Sequence, residues 1–162
     1  MSDDLRRGSG SYLEHRRRLS ALVLTGMGSL GAVAAYQLGL LRRLPEPPLT
    51  RLDAERVDAS GEAYQYLKTP DAALGLLSSA ATLVLAGMGA ADRSRTKPWI
   101  PVALAGKVVG DAAFGLFLTV EQGSKHRRFC SWCLVAAAAS VAAVPQAVPE
   151  AVAAWRTIRR RG

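Results

Sequence analysis

The sequence predicts an all-α, polytopic membrane protein: a four-helix bundle with a long capping loop between its first and second helices. Three observations predict this fold. Four long windows are apolar on every side, charged residues crowd between those windows, and the longest connection joins the first window to the second. A soluble helix would keep polar residues along one face. About 20 apolar residues match the roughly 30 Å hydrocarbon core of a bilayer.

The predicted spans are residues 19–41, 72–91, 99–120 and 129–148. The first contains no charged residue in 23 positions. This exceeds the apolar region of a cleaved signal peptide, so we expect an uncleaved span. Pro145 and Pro149 are expected to end or bend the fourth span. The windows are rich in Ala and Gly, which let membrane helices approach closely. Residues 1–18 are predicted to be a disordered basic N-terminus, and residues 149–162 a basic tail.

The net charge of +8 does not indicate a nucleic-acid partner. The basic residues flank the apolar windows and do not form a recognition helix with base-reading side chains. Basic residues in that position set membrane topology and contact anionic lipid. The lipid bilayer is therefore the first partner that the sequence predicts.

Charge asymmetry predicts the orientation of the spans. Four spans place both termini on one side, and that side carries twelve basic residues against eight on the other. The positive-inside rule then predicts cytoplasmic termini. Loop one, residues 42–70, and the third loop would lie on the outer face. Prolines 45, 47 and 48 predict an extended start to loop one. Residues 53–67 are expected to form a short amphipathic helix that covers the bundle.

The two cysteines of the chain, Cys130 and Cys133, directly precede the apolar run 134–144. This spacing in the first turn of a helix places the sulfurs close enough to bridge. The amide groups and the positive dipole end of a helix N-terminus favour a thiolate. The basic residues just before the pair add positive potential; they are Lys125, Arg127 and Arg128. A reactive dithiol is therefore the favoured interpretation.

Two other interpretations of the pair stay open at this point. Cysteines also pack as small apolar residues, and Cys-x-x-Cys is half of a common zinc ligand set. The chain has no second such pair, and His15 and His126 do not form a matching one. We therefore predict no metal. An oxidising outer face favours redox use. At a membrane boundary the natural acceptor is a lipid quinone, which takes two electrons as the pair becomes a disulfide.

Lys107 and Asp111 lie four residues apart, on one face of the third predicted helix. Ionisable groups inside a membrane usually face the bundle interior and are often functional. Two interpretations of these residues stay open: they handle a quinone or protons, or they form an ion pair that fixes the packing of the helices. The two could pair with each other, or with Asp71. A solute carrier is a weaker hypothesis, because the sequence shows no inverted repeat.

The chain resembles the vitamin K epoxide reductase family, in two motifs and in the four-span layout with a long first loop. One motif is Phe-Cys-Ser-Trp-Cys-Leu-Val-Ala at residues 129–136. The other is Val-Asp-Ala-Ser at 57–60, leading to Thr-Pro-Asp-Ala-Ala-Leu-Gly at 69–75. The similarity covers roughly residues 19–148, and the chain resembles a bacterial member of the family. It implies a quinone pocket, with menaquinone or ubiquinone as substrate, capped by loop one.

The resemblance also implies roles for individual residues. Cys133 would meet the quinone, and Cys130 would exchange electrons with an incoming thiol or disulfide. Asp71 falls where some members hydrogen-bond a quinone oxygen, and Ser60 matches the family's loop serine or caps a turn. Trp132 could pack on the quinone or anchor in headgroups. We also place Asp111 in the candidate quinone pocket.

The sequence departs from the family in loop one, which lacks the two cysteines that relay electrons in typical members. An internal relay is therefore impossible. The expected function is a membrane thiol–disulfide oxidoreductase. Its cysteine pair would take electrons directly from the thiols of a partner such as a thioredoxin-like protein and pass them to a quinone. The alternative is a degenerate member that serves as a membrane scaffold.

Overall fold

The computed structural model describes residues 3–49, 51–58 and 71–161. This part of the chain is helical, with one isolated bridge between Leu52 and Phe129. Its helices are α1 (Asp3–Arg7), α2 (Ser11–Gln37), α3 (Ala54–Asp58), α4 (Asp71–Gly87), α5 (Arg93–Thr96), α6 (Trp99–Glu121) and α7 (Ser131–Arg159). A π-helical turn, Gln122–His126, follows α6.

The four longest helices pack on one another. α7 packs against α2 and α6, and α4 packs against the same two helices. Residue pairs fix α2 and α7 as antiparallel, because Ser29 bonds to Trp132 and Arg16 bonds to Glu150. The turn between α6 and α7 closes with Arg127 in the left-handed region, at φ 52°. The cysteine pair thus lies at one end of the packed helices, and both termini lie towards the other.

Three helices are long and apolar enough to cross a membrane: Tyr12–Gln37, Trp99–Lys125 and Ser131–Arg159. Large apolar side chains on their outer surfaces stay exposed, among them Phe114, Phe117 and Val120, as a lipid-facing surface requires. α4 is apolar but has 17 residues, at the lower limit for spanning. Three of the predicted spans thus correspond to helices whose length and composition suit a membrane crossing. That α4 also crosses stays a prediction.

Buried apolar residues form two clusters along the helices. The cysteine-end cluster consists of Val33, Ala34, Leu44, Ala54, Val57, Ala72 and Cys130. Three of these, Leu44, Ala54 and Val57, come from loop one, so the described part of that loop packs against the helix ends. The second cluster lies nearer the termini and consists of Leu19, Ala86, Leu104, Val108, Ala143 and Ala147.

Towards the termini, a buried charge triad joins three separate segments. Glu150 of α7 accepts from Arg16 of α2 and from Arg93 of α5, with Nε to carboxylate distances of 3.0 Å for both arginines. All three side chains are almost fully buried. Burial lowers the pKa of Arg93 below its usual value, and the bond to Glu150 opposes that shift. The triad fixes α2, α5 and α7 in relation to one another.

Arg93 also closes the C-terminal end of α4. Its Nη1 donates to the carbonyl oxygens of Leu85, Ala86 and Met88. The last carbonyls of a helix have no partner within it, so this guanidinium supplies bonds that the helix cannot. A residue that the sequence presents only as a topology-setting charge is here a structural cap.

Helical structure extends beyond the predicted spans at both ends of the chain. In the segment expected to be disordered, residues 1–18, α1 begins at Asp3 and α2 at Ser11. The buried Arg16–Glu150 bond holds the start of α2 against α7. Pro145 and Pro149, which were expected to end or bend the fourth span, lie inside the last helix, which continues to Arg159. Neighbouring helices allow proline inside membrane helices by re-satisfying the freed backbone groups.

The amphipathic helix predicted over residues 53–67 is described only in its first part. α3 runs from Ala54 to Asp58, with Ala54 and Val57 facing the cysteine-end cluster. The remainder of the predicted helix, from residue 59 onwards, lies outside the described residues.

Candidate active site

The cysteine pair opens α7 as its spacing predicts. Cys130 is the N-cap residue, with extended backbone, and its Sγ accepts a hydrogen bond from the backbone N–H of Cys133 at 3.2 Å. No disulfide joins them in this structure. Cys130 is fully buried, whereas Cys133 is half-buried. The two cysteines therefore lie together at the amide end of one helix, as the cysteines of reactive Cys-x-x-Cys pairs do.

The backbone of loop one pairs with the residue before the cysteines. Phe129 donates its N–H to Arg51 O at 2.9 Å and accepts from the N–H of Asp53 at 3.0 Å. The two bonds form the isolated parallel bridge between Leu52 and Phe129. Loop one thus lies directly beside Cys130, which explains why that thiol is buried.

Side chains of both segments strengthen this contact. Trp132 donates its indole N–H to Pro45 O at 3.0 Å. Glu46 accepts from the backbone N–H of Ser131 at 2.8 Å, and its second oxygen accepts from the N–H of Ala54. The extended proline-rich start of loop one therefore contacts the first turn of α7 at two successive residues.

Two further polar side chains, one from the end of α6 and one from α2, bond to the backbone of residues 130–132. Gln122, in the π-helical turn, accepts from the N–H of Cys130 at 3.2 Å. Ser29 of α2 donates to Trp132 O at 2.6 Å. The first turn of α7 is thereby fixed by α2, by the end of α6 and by loop one.

Sequence reasoning missed Glu46, Gln122 and Ser29 as parts of the site. In the sequence, Glu46 is one of several acids in loop one, and no motif sets it apart as a site residue. Its position between Pro45 and Pro47 was an available signal, since a carboxylate on so rigid a segment has a fixed direction. Gln122 and Ser29 gave a weaker signal, as single polar residues at the end of or within an apolar helix.

The remaining predicted site residues fall in different places. Trp132 packs against the cysteine-end cluster, together with Cys133. Asp71 begins α4, and its Oδ1 accepts from Gln37 Nε2 at 2.7 Å and from the N–H of Ala72. Because Ala72 belongs to the cysteine-end cluster, Asp71 lies at the same end as the dithiol. Ser60 lies outside the described residues.

Asp111 lies midway along α6, in a different polar group. It pairs with Lys107 at 2.6 Å and accepts from Ser78 at 2.8 Å and Thr82 at 3.0 Å, both on α4. Lys107 also donates to Ser78 at 2.7 Å. Of the two pairings that the sequence left open, the structure shows Lys107 with Asp111. Since every member of this group bonds another, the geometry favours an ion pair that joins α4 to α6.

A small cavity adjoins Asp111 between the four longest helices. Its polar lining comes from Ser79, Thr82, Asp111 and Ser140, and its volume is about 20 Å³. That is room for about one water molecule and far too little for a quinone ring. Within the described ranges, no group of three or more His, Cys, Asp or Glu side chains is placed to hold a metal ion.

These features define a class: a helical membrane protein with a dithiol at the amide end of an apolar helix. The family comparison agrees with that class. The model of the vitamin K epoxide reductase family matches residues 18–148, and the chain belongs to this family. No curated protein and no solved structure matches the chain. Membership in this family indicates a membrane-bound redox function that is linked to quinone.

Proposed function

We propose that this protein is a quinone-linked thiol–disulfide oxidoreductase of a bacterial cell membrane. The observation that carries the proposal is the cysteine pair at the N-terminus of α7, with the Cys133 amide 3.2 Å from Cys130 Sγ. In the proposed arrangement α2, α4, α6 and α7 all cross the bilayer. The termini are cytoplasmic, and the dithiol lies at the outer rim of the lipid phase.

The proposed reaction has two half-steps. The dithiol of a partner protein, thioredoxin-like in chemistry, reduces the Cys130–Cys133 disulfide and is itself oxidised to a disulfide. The Cys133 thiolate then attacks the quinone ring, and the Cys130 thiolate attacks Cys133 Sγ and displaces the ring. The disulfide re-forms, and the two electrons leave with the quinone, which takes up two protons to become quinol.

The exposure of the two thiols supports this division of roles. Cys133 is the more accessible sulfur and lies on the apolar helix itself, whereas Cys130 is completely buried beside loop one. A partner can reach Cys130 only if the described part of loop one beside it, residues 45–49 and 51–53, moves away from the first turn of α7. Because loop one has no cysteine of its own, the partner exchanges with the α7 pair directly.

The proposed quinone contacts lie at the cysteine end. Trp132, which lies between the two cysteines in the sequence, packs against the cysteine-end cluster, and Asp71 lies at the same end of the helices. Ser60 is included in the proposed quinone site because it matches the loop serine of the family. We assign Asp111 to helix packing, because its carboxylate is bonded to Lys107, Ser78 and Thr82.

Quinol formation by reduced, detergent-solubilised protein tests the proposal. Menaquinone or ubiquinone is added under anaerobic conditions, and quinol is followed by absorbance. The wild type should form about one quinol per protein as its pair becomes a disulfide, and Cys133→Ala should form none. Ser131→Ala is the matched control, since it lies between the cysteines and keeps the backbone N–H that Glu46 uses. Undiminished quinol formation by Cys133→Ala would eliminate the proposal.

A scaffold without turnover is the second candidate. The absence of loop cysteines and the full burial of Cys130 favour it. It predicts that a Cys130→Ala/Cys133→Ala chain restores the function of a deletion strain as well as the wild type does. Loss of complementation by that double variant, at equal membrane abundance, would exclude the scaffold.

A further inference from the structure

A carboxylate occupies the amide end of the cysteine helix. Glu46 accepts the N–H of Ser131, the residue that directly follows Cys130, at 2.8 Å. The unpaired amides of a first helical turn are the groups that would otherwise stabilise a thiolate. A Glu46 carboxylate and a thiolate of the reduced pair are therefore two negative groups at one positive helix end.

The position of Glu46 is set by more than this one bond. Its other oxygen accepts from Ala54 N–H at the start of α3, and the neighbouring Pro45 accepts from the Trp132 indole. Proline on either side restricts the backbone. The side chain is half-buried, so solvent screens its charge less than it screens a surface charge.

We propose that Glu46 is a positioning residue of the dithiol, one that disfavours the reduced pair and so makes it a stronger electron donor. The inference rests on the proposed function. On reduction the disulfide takes up two electrons and breaks its sulfur–sulfur bond. With one proton it becomes a thiol and a thiolate, and with two protons it becomes two thiols. Only the thiolate-bearing form is repelled by Glu46. A reduced form that is less stabilised gives a lower reduction potential, which suits delivery of electrons to a quinone.

Redox titration against glutathione tests this without any quinone. Full-length protein in detergent is equilibrated in reduced and oxidised glutathione, and the reduced fraction is read from the gel shift after maleimide labelling. Glu46→Gln keeps the shape and one acceptor but removes the charge. It should move the equilibrium constant about tenfold towards the dithiol, equal to about 30 mV. Glu55→Gln, at an exposed acid of the same loop, is the control and should not shift it.

Glu46→Asp separates charge from packing. It shortens the side chain but keeps a carboxylate at the same helix end, so its equilibrium constant should stay within about threefold of the wild type. An Asp variant that shifts as far as the Gln variant, or a Gln variant equal to the wild type, overturns the role of Glu46 while leaving the proposed function intact. A wild-type pair that never forms a disulfide in the titration removes both.

Discussion

Replacing Glu150 with alanine leaves two buried arginines without the carboxylate that joins them. Glu150 accepts bonds from Nε and Nη2 of Arg16 and from Nε and Nη2 of Arg93, with the last at 2.8 Å. All three side chains are at most 4% exposed. The variant therefore keeps two positive charges buried in place with no opposing charge between them.

The expected cost follows from these contacts. A net hydrogen bond to a charged group contributes about 1.5–3 kcal/mol, but the four bonds share one carboxylate and do not add. Removing one partner of a buried ion pair costs about 3–5 kcal/mol. We expect Glu150→Ala to lower the free energy of unfolding by about 4 kcal/mol, with a melting temperature lower by about 10 °C.

Denaturant unfolding in detergent, followed by circular dichroism, measures this change. The matched control is Glu14→Gln, which breaks the exposed pair with Arg18 four residues along α2. An exposed pair of this kind contributes only about 0.3–0.5 kcal/mol. A Glu150→Ala variant within about 1 kcal/mol of the wild type would refute the reasoning that the triad fastens α2, α5 and α7 together.

Two further predictions concern the packing of α4, and both are measured by the same unfolding assay. Asp111→Ala leaves Lys107 without its carboxylate and should lower the free energy of unfolding by about 1–3 kcal/mol. The double variant Lys107→Met/Asp111→Leu should recover most of that loss. A double variant as unstable as Asp111→Ala would show that the pair does not act mainly in helix packing. Gly75→Val should cost about 1–3 kcal/mol, because a Cβ at Gly75 already meets Leu30 Cδ1 at 3.0 Å. Gly106→Ala, where a Cβ meets nothing within 4 Å, is the control and should be neutral or slightly stabilising.

Several features of the structure could be predicted from the sequence because they depend on short stretches of chain. Apolar windows of membrane length predicted α2, α6 and α7, and the Cys-x-x-Cys spacing predicted both sulfurs in one helical turn. The family followed from the same motifs. The helix ends were less predictable: α2 begins eight residues before the predicted span, because its polar first turns are held by tertiary bonds to α7 and not by their own hydropathy.

Which charges are structural was not predictable from their positions. Arg16 and Arg93 read as topology-setting basic residues, yet both are buried against Glu150. A single acid after a long apolar stretch was the available signal for such a partner. Which residues pair with Glu150 depends on how the helices pack, and no pattern along the chain predicts that packing.

By itself, the sequence determined the helices, their apolar surfaces and the placement of two thiols at the start of α7, since hydropathy and helical periodicity act over a few turns. The tertiary structure alone decided what surrounds those thiols. Glu46 meets Ser131 across 85 positions, and Arg16 meets Glu150 across 134. The physical reason is that burial, and with it the strength of each charge, arises only when distant segments pack together and exclude solvent.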